Sequence, residues 1–181
     1  MSRNVAVAIA AAAVMGFWIL GAYNRLVRLR QVLGAAFAHF DAQLRQRHEL
    51  LGALIEAAAA ALADTPEALA AVDAARLQAR GAADHAAQRP ASAGRLASLA
   101  LAEQVLGTAL LQLMALVRRR PALHRDPPLR ALMKDLSTTQ HRLAAAREAF
   151  NTAALDYNRS VLQFPTRLIA GMFGFRVVVT L

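Results

Sequence analysis

The sequence predicts an all-α protein in which an N-terminal transmembrane helix continues into an elongated antiparallel four-helix bundle. Three observations carry that expectation. The run from Val5 to Ala22 is apolar and holds no charge. Beyond it, apolar residues recur in steps of three and four. Breaks at Asp64–Glu67, Arg89–Ser92 and Pro121–Pro128 divide that periodic region into four segments.

The apolar run is about 18 residues long, the lower edge of what a helix rising about 1.5 Å per residue needs to cross about 30 Å of hydrocarbon. Trp18 and Tyr23 stand near its end, where amphipathic rings prefer the headgroup level, and Arg25, Arg28 and Arg30 follow at once. A cleaved signal peptide is the rival reading, since Ser2, Arg3 and Asn4 give a short positive start. The run is longer than an ordinary signal-peptide core, however, and ends in bulky Phe17, Trp18, Ile19 and Leu20 rather than in a small-residue cleavage site. A retained anchor is therefore favoured. The three arginines after the run, against Arg3 and the amino terminus before it, place the C-terminal domain on the cytoplasmic side.

From Tyr23 to Ala63 no proline interrupts the chain, and Leu33, Phe37, Phe40, Leu44, Leu51, Leu54 and Ala58 form a heptad-like seam with Arg47 in one slot. Thr65 and Pro66 suit the cap and first turn of a second helix, Pro66 to Gln88, whose seam holds Leu69, Val72 and Leu77 among alanines. Ser92 is placed to cap a third, marked by Leu96, Leu99, Leu106, Leu110, Leu113 and Val117 and ended by Pro121. In the fourth, Leu129, Leu132, Leu136, Leu143, Phe150, Ala154, Tyr157, Val161 and Phe164 share a face, Thr139 fills the intervening slot, and Pro165 terminates the helix. The expected division is thus an anchor at 1–22, a helical domain at 23–165 and an apolar tail at 166–181. The tail is expected either to lie in the membrane interface or to pack on the end of the domain, with no strand in sight to partner Val177, Val178 and Val179.

Three charged residues stand where leucine would be expected: Arg47, Arg76 and Glu103. Counting from the turns brings them to similar levels, with Gln140 nearby. A polar layer follows as an expectation, with Glu103 paired to one or both arginines and Gln140 completing hydrogen bonds. The competing reading lets these side chains reach the rim, where exposed pairs contribute about 0 to 1 kcal/mol.

Composition narrows the chemistry. Cysteine is absent, which removes disulfides and thiolate chemistry. The formal net charge of +9 comes almost wholly from arginines scattered along every helix, without interleaved aromatics, so nucleic acid is an unlikely partner. His39, His48, His85, His124 and His141 form no pair with metal-ligand spacing, and Gly52 stands where a zinc-protease motif begun by His48 and Glu49 would need its second histidine. Carboxylates are dispersed and phosphate-binding glycine loops are missing. No catalytic residue, metal or cofactor is expected, and the chain is read as not an enzyme.

Three ordered segments resemble the LemA family of bacterial membrane proteins. The first comprises Tyr23-Asn24-Arg25-Leu26-Val27, Phe37, Asp41 to Arg47, Leu50-Leu51 and Leu54-Ile55. The second is Val72 with Ala75-Arg76. The third, and most specific, holds Ala146-Arg147-Glu148-Ala149-Phe150-Asn151, Tyr157-Asn158, Phe164-Pro165 and Gly174-Phe175. The resemblance implies a single-pass protein of the bacterial inner membrane with a helical bundle and no established catalytic activity. Its expected role is a scaffold or adaptor whose partners are the lipid bilayer and other membrane or envelope proteins, self-association being open. A membrane-surface or membrane-shaping role on anionic lipid is the alternative. The chain departs from the family pattern at Gly52 and Ala53, at Arg118-Arg119-Arg120-Pro121, and at Gln140.

Overall fold

The computed structural model describes residues 3–120 and 126–181. Ser2, Pro121 and His124, which entered the expectations above, lie outside the described residues. The described chain is all-α: α1 spans Arg3–Ala58, α2 Pro66–Gln88, α3 Ala93–Arg118, α4 Pro127–Leu162 and α5 Thr166–Met172.

Helix α1 runs without interruption for 56 residues, about 84 Å at about 1.5 Å per residue. Its N-terminal stretch is long and apolar enough to cross a membrane, and its large side chains there, Phe17 and Val14 among them, are exposed. Burial begins at Leu26 and follows the seam through Leu33, Phe37, Phe40, Leu44, Leu51, Leu54 and Ala58. The helix stops at Ala58, short of Ala63, and turns continue to Asp64 with Leu62 fully buried.

Helix α2 has the expected bounds but a different seam. Leu77 is 53% exposed, and the buried face is Leu69, Val72, Ala75, Ala79, Ala83 and Ala86. Alanine gives too little hydropathic contrast to mark a face, and a lone leucine misleads. Thr65 occupies the cap position, yet its hydroxyl leans back on the Leu62 carbonyl (3.5 Å) and makes no capping bond; Ser92 likewise makes none for α3. Helix α3 also has the length and composition of a membrane span. It nevertheless buries Leu96, Leu99, Ala102, Leu106, Leu113 and Val117 in the domain core, with Leu110 half-buried. Helix α4 ends at Leu162, so Phe164 lies beyond it and is 72% exposed, off the shared face to which its spacing assigned it. The other seam residues of α4 fall as expected, Thr139 included at 2% exposure, with Leu132 partly buried.

The closest helix pairings are α1 with α4, α2 with α3, and α1 with α2. Two core clusters result. One joins Leu26 to Leu44 with Ala83 and Ala86 of α2, Leu96 and Leu99 of α3, and Leu143 to Val161 of α4. The other joins Leu51 to Leu62 with Leu69 to Ala79, Ala102 to Val117, and Leu129 and Leu136. An edge-on contact between Phe37 and Phe150, with ring centroids 5.6 Å apart, fixes the level of α1 against α4. The ion pair Arg47–Glu103 fixes that of α1 against α3, and Asp64–Arg120, likewise spanning 56 positions, joins the segments that follow the two helices.

Candidate functional site

The boundary between the two clusters is polar. On α1 the first cluster ends at Leu44 and the second begins at Leu51; the residues between them include buried Arg47 and His48, at 5% and 2% exposure. Thr139 of α4 lies in the corresponding gap between Leu136 and Leu143, and Glu103 of α3 follows directly on Ala102, where the second cluster begins on that helix. Arg47 Nη1 donates to Glu103 Oε2, and His48 Nε2 donates to Glu103 Oε1 at 3.0 Å. Both carboxylate oxygens are therefore occupied by cationic or polar donors from adjacent positions of one helix. Burial pushes the Glu103 carboxyl up, but the His48 hydrogen bond and the Arg47 charge together outweigh it and hold the carboxyl below the ordinary glutamate range. Arg47 Nε and His48 Nδ1 are buried with no partner among the described residues.

The structure brings together Arg47 and Glu103 of the four residues named for this layer. Arg76 stands apart. Its guanidinium binds Asp73 three residues back, with Nε and Nη2 at 2.9 and 2.6 Å from Oδ1, and lies over Gly52. The short link within α2 competes successfully with the longer reach to Glu103. Gln140 is exposed and makes no hydrogen bond among the described residues; it lines, with Arg47, Glu103, Leu143 and Arg147, an open groove of about 460 Å³ between α3 and α4. His48 takes the place expected for a second arginine. Its position was readable in principle, since it falls four residues after Leu44 and three before Leu51, so the seam admits positions 47 and 48 alike.

The tail forms a second polar feature, absent from the sequence reading. Beyond α5, Gly174 adopts a φ of 72°, and the chain turns back along α4 in extended form. Asn158 donates Nδ2 to the Val178 carbonyl (2.7 Å) while its Oδ1 accepts from the Val178 N–H (2.8 Å). Asn151, seven residues earlier, repeats the arrangement on Leu181 at 2.9 and 2.8 Å. Each side-chain amide thus substitutes for a strand neighbour, and of the three valines it is Val178 that gains a partner in this way. The spacing is commensurate: seven helical residues advance about 10 Å, and three extended residues cover about the same length. Phe175 and Val178 consequently face the core. Packing on the domain, of the two fates expected for the tail, holds for this segment.

At the base of the domain, Trp18 is 40% exposed and Arg25, Arg28 and Arg30 are exposed, as is Asn24. Tyr23 is half-buried because its ring meets Phe173 and Phe175, with centroids 5.0 and 5.9 Å away. Tyr157 is buried, which raises its phenol above the ordinary range against the opposing influence of Arg30. Arg147 is exposed beside the α3–α4 groove, and Pro165 precedes α5. No group of three or more His, Asp or Glu side chains among the described residues is placed to hold a metal ion.

These features define an all-helical protein with a membrane-length apolar helix at its N-terminus and a polar layer across its core. The chain belongs to the LemA family, whose model matches residues 36–180. It is also similar to the magnetosome protein MamQ of Magnetospirillum gryphiswaldense, 33% identical over 72 residues that make up 40% of this chain and 26% of MamQ. MamQ 1 and MamQ 2 of Paramagnetospirillum magneticum match at 33% over 70 residues, 39% of this chain and 26% of each relative. The chain therefore spans about a quarter of the length of the curated relatives it matches.

Proposed function

We propose that this protein is a non-enzymatic, membrane-anchored scaffold or adaptor of the bacterial inner membrane, built as an elongated antiparallel four-helix bundle standing on one transmembrane helix with its domain in the cytoplasm. The observation that carries the reading is the continuity of α1, whose exposed apolar stretch passes without a break into the seam that organises the core. A helix of that kind transmits its orientation to everything packed on it, so the bundle surface is held at a defined height and direction above the bilayer. The polar layer fits the same role. Glu103 matched to Arg47 and His48 penalises any slide of α3 along α1, because a shift of one heptad sets the charged groups against leucine. It acts as a register device and not as a catalytic centre.

A photo-crosslinking residue placed at Leu77, Leu101 or Arg142 of the full-length protein in living cells tests the proposal. A scaffold yields discrete protein adducts from one face of the bundle, unchanged by salt. The runner-up, a membrane-surface or membrane-shaping protein, rests on the exposed basic group Arg25, Arg28 and Arg30, which attracts anionic headgroups by about 1 kcal/mol per residue. Adducts confined to lipid and lost at high salt favour that reading and contradict the first.

A further inference from the structure

From Phe164 onward the chain exposes more apolar side chains than it buries, Val177 and Val179 included at 48% and 46%. Ile169, Ala170, Phe175 and Val178 enter the core, whereas Phe164, Leu168, Met172 and Phe173 are 72%, 58%, 81% and 53% exposed. Leu168 and Met172 stand four residues apart on α5 and so share one face of it, and Phe164 is exposed just before the helix begins. Its place in the fold identifies what covers that face. Phe173 stacks against Tyr23, one residue beyond the apolar run, and Arg25, Arg28 and Arg167 are exposed at the same end. Exposed aromatic and aliphatic side chains accompanied by exposed arginines, next to the end of the apolar run, have the composition of an interfacial segment.

We infer that α5 is a membrane foot: Phe164, Leu168, Met172 and Phe173 insert into the headgroup and upper acyl region of the bilayer that α1 crosses. The occupant is lipid of that same membrane, not a partner protein. The inference rests on the reading of α1 as a transmembrane anchor. It gives the domain a second point of attachment beside the first, so the bundle neither swivels about α1 nor tilts freely. The exposed apolar residues of α3 make the contrast. Leu101 and Leu111 are 62% and 69% exposed, as bare as those of α5. Glu103, however, stands level with Arg47, about 25 residues or about 37 Å along α1 from Ala22, beyond the reach of lipid.

The absence of cysteine permits a direct test on the full-length chain. Single-cysteine variants Leu168→Cys, Met172→Cys, Leu101→Cys, Leu111→Cys and Val14→Cys are spin-labelled and reconstituted into vesicles of phosphatidylethanolamine and phosphatidylglycerol. Collision with oxygen, which concentrates in lipid, is compared with collision with a water-soluble nickel chelate. A membrane foot gives oxygen-to-nickel ratios at 168 and 172 several-fold above those at 101 and 111. Equal ratios at the four positions, with Val14→Cys still on the lipid side, overturn the foot and leave the anchor standing. An aqueous ratio at Val14→Cys overturns the anchor itself and the foot with it.

Discussion

Replacing Glu103 by leucine removes the one carboxylate that serves both Arg47 and His48. The glutamate side chain is 17% exposed and that of Arg47 is 6%, so Arg47 is left with its charge in the core and little water to replace its partner. Orphaning one member of a buried pair typically costs about 3 to 5 kcal/mol. In a domain of this size about 1 kcal/mol corresponds to about 2 to 4 °C, so Tm falls by about 6 to 20 °C. The assay is thermal unfolding of the full-length protein in detergent, followed by circular dichroism, as a double-mutant cycle with Arg47→Leu. The double variant Arg47→Leu/Glu103→Leu recovers most of the loss, because packed leucines tolerate a site that an unpaired guanidinium does not. A shift of less than 2 °C for Glu103→Leu alone, or a double variant as unstable as the sum of the singles, refutes the buried-layer argument and returns these charges to the rim.

Acid should weaken the same layer. Glu103 titrates below its unfolded value, so its contribution is present above about pH 4.3 and is lost as pH falls through the folded value; Glu103→Gln flattens that part of the stability profile in acid denaturant melts. Gly52→Ala should stabilise α1 by up to about 1 kcal/mol, since a Cβ there meets the Arg76 guanidinium at an ordinary 3.7 Å and a helix-interior glycine is relieved; urea midpoints report it, and a loss of stability contradicts the placement of Arg76. Asn158→Ala should free the tail at a cost of about 1 to 3 kcal/mol for two hydrogen bonds, with faster hydrogen exchange at Val178; unchanged exchange there contradicts the clasp. Leu77→Ala should change stability by less than about 0.5 kcal/mol while Leu106→Ala costs about 2 to 5, and comparable losses contradict the assigned face of α2.

What the sequence disclosed follows from how each contact is made. Leucines and phenylalanines at heptad steps mark α1 and α4 plainly, because a large apolar side chain at every turn has one reason to recur. Four of the six buried positions of α2 are alanines, so its face is set by close backbone approach and leaves little trace in hydropathy. The polar layer was legible as an anomaly in the seams of α1 and α3, but its membership was not. Arg76 found a nearer acid in Asp73, and His48 was concealed by sitting beside the more conspicuous Arg47. The clasp of the tail was not legible at all. Asn151 and Asn158 act across 30 and 20 positions through backbone groups that every residue carries, and no pattern of side chains announces such a pairing.

The proposed function puts the helical domain on α1 at the cytoplasmic face of the inner membrane. Protease accessibility of a C-terminal tag, measured in intact cells, spheroplasts and lysed membranes after an alkaline wash, tests that proposal. The protein is expected to stay with the membrane through the wash, with the tag digested only after lysis. Digestion in spheroplasts contradicts the orientation, and loss of the protein in the wash contradicts the anchor.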